Sequence, residues 1–154
     1  MKKIIIAFLI VFSVNTQAQD LKWHTNIKEA IAVSNKEKKP LMLFFTGSDW
    51  CGWCIRLQNE VLKTPEFTKW AKTNVVLVEL DYPRRTAQLP EIKQQNAELQ
   101  QVFGIQGFPT VFFTNVEKDK DGRLNFKALG KTGYVAGGPQ AWLAEVNGFL
   151  KAKI

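Results

Sequence analysis

The segment FTGSDWCGWC, residues 45–54, contains both cysteines of the chain, Cys51 and Cys54, separated by two residues. It overlaps the apolar run LMLFFTG, residues 41–47, and is followed by IRLQNEVLK, residues 55–63. A continuous apolar run that ends in turn residues is typical of a strand buried on both faces, and the segment after the cysteines favours a helix. The two thiols are therefore predicted at a strand-to-helix turn.

The remainder of the chain predicts helices and strands that alternate. Strands are predicted from apolar and β-branched runs at residues 41–47, 75–82, 109–115 and 124–130. Helices are predicted over residues 23–40, 55–63, from 64 onward, 91–104 and 137–154. A βαβ unit makes the first two strands parallel, and the last two form a hairpin. The expected fold class is α/β, with a central mixed four-stranded sheet flanked by helices on both faces.

Composition and charge limit the classes of function. The 154 residues fit one domain, and 11 Phe and 5 Trp exclude a disordered chain. The net charge of +7 is spread along the sequence without a dense basic block, so no nucleic-acid partner is expected. Residues 1–19, MKKIIIAFLIVFSVNTQAQ, have the features of a cleaved secretory signal peptide, which leaves residues 20–154 as the domain. The protein is then periplasmic or otherwise extracytoplasmic, where disulfides persist.

Three interpretations of the cysteine pair are a metal site, a structural staple and a redox couple. A closed zinc site takes four ligands, and the only histidine, His24, is remote in sequence and expected at the surface, so no metal is predicted. A staple across so short a loop removes little entropy from the unfolded chain. A helix start favours the thiolate of Cys51, and Cys54 follows one turn later on the same face. A redox couple is favoured, with an exposed nucleophile at Cys51 and a more buried resolving thiol at Cys54.

The motifs DWCGWC, residues 49–54, and GIQGFPT, residues 104–110, resemble the thioredoxin family. The sequence is similar to an exported bacterial branch of that superfamily. The resemblance implies a thioredoxin fold, thiol–disulfide chemistry without a cofactor, and a cis proline at Pro109 packed against the cysteine pair. Phe108 would present its backbone to an extended substrate strand. The residues that flank the thiols are expected to contact substrate: Trp50, Gly52 and Trp53.

Two departures from the family pattern carry expectations of their own. Thioredoxins usually have a buried aspartate six residues before the first cysteine, where this chain has Phe45 preceded by Phe44. Glu79 or Asp81 on the neighbouring strand could substitute, with Glu79 as the candidate for proton relay, and an ordinary solvent-facing or strand-end position is the alternative for each. The dipeptide Gly52–Trp53 lacks a histidine that would stabilise the thiolate. We therefore expect a reducing to intermediate potential, on a scale from about −270 mV for thioredoxin to about −120 mV for a strong periplasmic oxidase.

The expected function is that of an exported thiol–disulfide oxidoreductase that reduces disulfides in extracytoplasmic proteins. Its partners would be disulfide-containing protein substrates and a membrane electron donor, and it would act as a monomer. The alternatives are a disulfide oxidase or isomerase, and a non-enzymatic peptide-binding or chaperone-like module. Residues 82–85 and 136–139 exceed what a minimal domain of this family needs, and both a partner surface and ordinary loops remain open there.

Overall fold

The computed structural model describes residues 21–151 of the chain. The predicted signal peptide, residues 1–19, lies outside the described residues. Residues 152–154, at the end of the predicted closing helix, also lie outside them.

A five-stranded sheet forms the centre of the described domain. Its strands are β1 Trp23–His24, β2 Leu41–Thr46, β3 Val76–Asp81, β4 Thr110–Lys118 and β5 Leu124–Thr132. The spatial order is β1-β3-β2-β4-β5. β3 runs parallel to both β1 and β2, whereas β4 is antiparallel to β2 and β5. The prediction of four strands was wrong by one, because β1 is only two residues long and falls inside the segment that the sequence assigned to a helix.

Within residues 21–151, five α-helices pack on the two faces of this sheet. They are α1 Ile27–Glu37, α2 Gly52–Leu57, α3 Pro65–Asn74, α4 Pro90–Val102 and α5 Gly138–Lys151. α2 continues into a π-helical turn, Gln58–Leu62. The side chain of Asn26 accepts hydrogen bonds from the N–H groups of Lys28 and Glu29, which fixes the start of α1 where the capping pattern predicts it. In the described part of the chain, each helix is too short or too polar to cross a membrane.

The sheet separates two hydrophobic clusters. One lies between the sheet and α2, α3 and α5, and it contains Phe44 together with both cysteines. The other lies under α1 and α4 and contains Phe45. Because successive strand residues point to opposite faces, only Phe44 belongs to the cysteine face. Phe45, which the count of six residues singles out, faces away from the thiols.

His24 is buried, with 5% of its surface exposed, so its expected surface position was wrong. It lies in β1 and pairs with Val78 at the edge of the sheet. Burial lowers the pKa of its imidazole, and the positive charge of Lys22 lowers it further. The sequence carried no sign of this burial, because a two-residue strand shows no periodic pattern.

Candidate active site

Cys51 and Cys54 form a disulfide at the junction between β2 and α2. Cys51 is the N-cap of α2, and its Sγ accepts a hydrogen bond of 3.2 Å from the backbone N–H of Cys54. The N–H of Cys51 donates to the carbonyl of Gly47 at 2.8 Å, which closes the turn that leaves the strand. The predicted strand-to-helix placement is therefore present, and an N–H donor points at the first sulfur.

Neither cysteine is freely exposed in this oxidised form. Cys51 keeps 6% of its surface exposed and Cys54 none. The expectation of an exposed Cys51 was therefore too strong, although the order of accessibility between the two thiols agrees with it. Trp50 and Phe108 pack against the cluster that contains both cysteines, and they account for the covering. Of the two cysteines, only Cys51 therefore has surface that a partner can reach.

Pro109 lies beside the site at the entry to β4, and the Phe108–Pro109 peptide bond is cis. The hydroxyl of Thr110 donates to the carbonyl of Gly107 at 2.8 Å, which ties the turn together. The ring of Phe108 meets the indole of Trp50 edge-on, with centroids 5.7 Å apart. Phe108, whose peptide bond to Pro109 is cis, thus makes an aromatic contact with the residue directly before Cys51.

The two tryptophans next to the thiols have different environments. Trp50 is half-buried, and its Nε1–H donates to the carbonyl of Tyr82 at 2.8 Å. Trp53 is 56% exposed, with its ring centroid 5.1 Å from that of Tyr134. Trp50 therefore forms a fixed wall of the site, whereas Trp53 offers an open apolar surface.

A small polar cluster supports the exposed Trp53. The guanidinium of Arg56 lies 5.4 Å from the Trp53 ring and 5.0 Å from the Tyr134 ring. The Tyr134 hydroxyl donates to Glu60 at 2.5 Å, and Arg56 pairs with the same carboxylate at 2.6 Å. These two contacts lower the pKa of the Glu60 carboxyl, with the Tyr134 hydrogen bond as the larger cause. No local sequence pattern indicates this cluster, because Tyr134 is 74 residues from Glu60 in the chain.

Glu79 lies on the cysteine face of the sheet. It pairs in register with Phe44, so the two side chains leave the sheet on the same side. Its carboxyl borders a pocket of about 220 Å³ lined by Trp23, Phe44, Gln58, Leu62, Lys63 and Glu79. Burial raises the pKa of Glu79, and the negative charge of Asp81 raises it further. The solvent-facing alternative does not describe this partly buried position.

Asp49 connects the cysteine turn to the loop after β3, and sequence analysis missed it. Its carboxylate accepts the backbone N–H groups of Arg84, Arg85 and Thr86 at 3.0, 2.7 and 3.0 Å. These hydrogen bonds, with that of Arg84 as the largest cause, lower the pKa of Asp49 to about 2. The loop is thereby held against the active site. A sequence signal existed only on the loop side, where residues 82–85 stood out as longer than necessary.

No group of three or more His, Cys, Asp or Glu side chains within residues 21–151 is arranged to hold a metal ion. Of the predicted site residues, the structure groups Trp50, Cys51, Cys54 and Phe108 in one cluster, and Pro109 follows Phe108 in the chain. Gly52 and Trp53 lie on the outer side of α2. Glu79 reaches the same face from β3.

The structure has a disulfide between two cysteines separated by two residues at the start of a helix, and a cis proline before a strand of this sheet. These features define the class of thioredoxin-fold thiol–disulfide proteins. Residues 27–144 match the family model described as a thioredoxin-like domain. The chain belongs to this family, and the predicted fold class is confirmed apart from the number of strands.

Curated relatives make the comparison more specific. The chain is 36% identical over 136 residues to the disulfide bond reductase DsbH of Chlamydia pneumoniae, covering 88% of this chain and 76% of that protein. It is 35% identical over 104 residues to the thioredoxin-related protein DsbJ of the same organism, covering 68% of this chain and 30% of DsbJ. The chain thus spans less than a third of DsbJ.

Solved structures agree with this grouping. The DsbH oxidoreductase superposes with a TM-score of 0.74 at 36% identity, covering 87% of each chain. A thioredoxin from Thermus thermophilus superposes with a TM-score of 0.59 at 18% identity, covering 84% of this chain and 87% of that one, and shows the fold alone.

Proposed function

We propose that this protein is an extracytoplasmic protein-disulfide reductase that cycles between a Cys51/Cys54 dithiol and the disulfide described above. The observation that supports it most is the disulfide at the N-cap of α2, with the Cys54 N–H directed at the Cys51 sulfur. A donor in that position favours the thiolate, which is the attacking form of a cysteine. The N-terminal segment, residues 1–19, supports a place outside the cytoplasm.

The reaction consists of two thiol–disulfide exchanges. The Cys51 thiolate attacks a substrate disulfide, forms a mixed disulfide and releases the first substrate thiolate. The Cys54 thiolate then attacks the Cys51 sulfur, which releases the second substrate thiolate and leaves the Cys51–Cys54 disulfide. The substrate gains two electrons and the protein loses two. A dithiol donor, which we assign to the membrane, must return them before the next cycle.

The surroundings of the pair support roles for the flanking residues. Phe108 and cis Pro109 open β4 beside Trp50, so an extended substrate segment can lie along the backbone of Phe108 next to the sulfur. Trp53 adds an exposed apolar surface. The reducing direction is supported by the similarity to a protein named as a disulfide bond reductase and by the absence of a histidine between the cysteines.

The second exchange requires that the buried Cys54 thiol lose its proton, and we propose that the Glu79 carboxylate accepts it. Glu79 is on the cysteine face, it borders a 220 Å³ pocket, and burial raises the pKa of its carboxyl. The pocket has room for several water molecules, at about 30 Å³ each, beside Glu79, and it is also lined by Gln58, which lies one helical turn after Cys54. A base with a raised pKa suits proton transfer near neutral pH.

Variants of the cysteines test the reductase proposal. Wild-type protein should accelerate the reduction of insulin by dithiothreitol, Cys51→Ser should be inactive, and Cys54→Ser should accumulate mixed disulfides with substrate. Equilibration with glutathione should place the couple nearer about −270 mV than about −120 mV. A potential at the oxidising end would instead indicate an oxidase or isomerase. A wild-type rate equal to the uncatalysed rate, with no trapped partner, would indicate a binding module.

Glu79→Gln tests the proton relay, with the exposed Glu66→Gln as the matched control. Removal of a general base typically slows a step by about 10²-fold or more, so the mixed disulfide should persist longer in the Glu79 variant near pH 7. The deficit should shrink as the pH rises, since hydroxide then deprotonates Cys54 directly. Resolution by Glu79→Gln with the rate and pH profile of wild type would remove Glu79 from the mechanism.

A further inference from the structure

Two arginines lie on the loop that Asp49 holds beside the cysteine turn. The guanidinium carbon of Arg84 lies 3.7 Å from the centroid of the Trp50 ring, which is itself in contact with Phe108. Arg85 follows it and is also exposed. The pair therefore adjoins the wall of the groove in which the proposed substrate segment would lie.

Neither guanidinium has a carboxylate partner among residues 21–151. The ion pairs in that part of the chain involve other side chains. Asp49 keeps its negative charge, but its oxygens accept the N–H groups of residues 84–86 and the hydroxyl of Thr86. Asp81 is occupied in the same way, by the N–H and hydroxyl of Ser48 at 2.8 and 2.6 Å. The Asp49 carboxylate thus positions the loop and the Asp81 carboxylate positions Ser48, and neither forms an ion pair with the two arginines.

The loop is tied at several points, so the backbone that carries both arginines is held in place, and the Arg84 guanidinium is further placed by its contact with Trp50. Gln88 donates from Nε2 to the carbonyl of Asp81 at 3.1 Å, and the indole of Trp50 donates to the carbonyl of Tyr82. Pro83 fixes one backbone dihedral between these anchors. A preorganised cation loses less conformational entropy when it meets an anion than a mobile one does.

We propose that Arg84 and Arg85 select substrates whose disulfide is flanked by acidic side chains, with Asp49 as the residue that positions them. The occupant is an extended, disulfide-bearing protein segment that carries Asp or Glu next to its cysteine. Its backbone lies along Phe108, and its carboxylates meet the Arg84 guanidinium over Trp50 and the neighbouring Arg85. This inference rests on the proposed reductase function and adds a substrate class to it.

The test uses two synthetic peptide mixed disulfides that differ only in the residues beside the cysteine, Glu in one and Gln in the other. The ratio of kcat/KM for the two peptides is compared between wild type and Arg84→Gln/Arg85→Gln. Comparison between proteins cancels the intrinsic effect of glutamate on disulfide reactivity. The control is Lys118→Gln/Lys120→Gln, which removes two charges at the far end of β4, roughly 25–30 Å along the strand from Pro109.

At low ionic strength the Glu/Gln ratio should fall about three- to tenfold in the arginine variant, as expected for one or two exposed charge pairs. It should be unchanged in the lysine control. The difference should vanish toward 1 M salt, where the Debye length contracts to about 3 Å from about 30 Å at 0.01 M. An equal ratio in wild type and the arginine variant, or an equal loss in the lysine control, would overturn the proposal.

Asp49→Asn separates positioning from net charge. The substitution makes the loop region more positive, so a pure charge effect would raise the Glu/Gln ratio. Loss of the hydrogen bonds between the Asp49 carboxylate and residues 84–86 should instead lower the Glu/Gln ratio, while the Gln peptide is still reduced. A raised or unchanged ratio would refute the role of Asp49. Absence of activity toward both peptides in wild type would contradict the reductase function itself, which is a different outcome.

Discussion

Replacing Gly47 by alanine should disturb the site without touching either cysteine. A Cβ at position 47 would lie 2.5 Å from Nε1 and 2.7 Å from Cζ2 of Trp50, well inside van der Waals contact. The Gly47 backbone lies outside the left-handed region, so the cost arises from the collision and not from the dihedral angles. The indole cannot move away freely, because it donates to Tyr82 and packs against Phe108.

The magnitude follows from these contacts. Overpacking of a filled site costs about 1–3 kcal/mol, and loss of the Trp50–Tyr82 hydrogen bond adds about 0.5–1.5 kcal/mol. A loss of about 2 kcal/mol corresponds to a fall in Tm of roughly 6–10 °C for a domain of this size. Gly52→Ala is the matched control, since nothing lies within 4 Å of a Cβ there and the position begins a helix. Alanine at position 52 should leave stability equal or raise it by about 0.4–1 kcal/mol.

Urea denaturation of the oxidised forms, followed by circular dichroism, measures the stability of both variants. Reduction of a neutral disulfide peptide by Gly47→Ala should also slow, because Trp50 forms the wall beside Cys51. Equal midpoints for Gly47→Ala and wild type, or a larger loss in Gly52→Ala, would refute the packing described for Trp50.

Three further expectations concern the rest of the domain. Trp142 is fully buried, so Trp142→Ala should lower the free energy of unfolding by about 3–5 kcal/mol. Urea titration measures this change, and a loss near zero would contradict the position of Trp142 in the core. Thr64 caps α3 by accepting the N–H of Phe67 at 3.3 Å, so Thr64→Ala should cost about 1 kcal/mol, whereas the exposed Thr73→Ala should stay within about 0.5 kcal/mol. The lowered pKa of His24 means that the folded state disfavours its protonation. Its stabilising effect is present above pH 6.5 and is lost as the pH falls through the lowered folded value, so stability measured from neutral to mildly acidic pH should decline less in His24→Gln than in wild type.

Strong local patterns account for the elements that the sequence placed correctly. β2 was placed by an unbroken apolar run, and all six of its residues are buried. α3 begins where Thr64 and Pro65 predict, because a hydroxyl cap and a first-turn proline act within a single turn. The hairpin tip falls at Gly122, whose φ of 78° suits glycine. In each case the interaction that determines the element involves residues close together in the chain, so it can be recognised from the sequence.

Short or irregular elements were not predictable in this way. β1 has two residues and exists only because β3 offers an edge for pairing. The π-helical turn at Gln58–Leu62 follows α2 without any proline or glycine to mark it. The burial of His24 and the partial burial of Glu79 depend on which strands become neighbours. None of these features produces a hydrophobic periodicity or a helix-breaking residue that could be recognised in the sequence.

For the active site, the sequence alone determined the chemistry: two thiols spaced by one helical turn after a buried strand, with a Gly-x-Pro-Thr entry to another strand. Tertiary structure decided the surroundings. It placed Phe44, and not Phe45, on the cysteine face, and it joined Asp49 to the backbone of residues 84–86. The physical reason is that covalent spacing fixes which groups can react with each other. Burial, charge and access depend on contacts between residues far apart in the chain, and these form only when the sheet assembles.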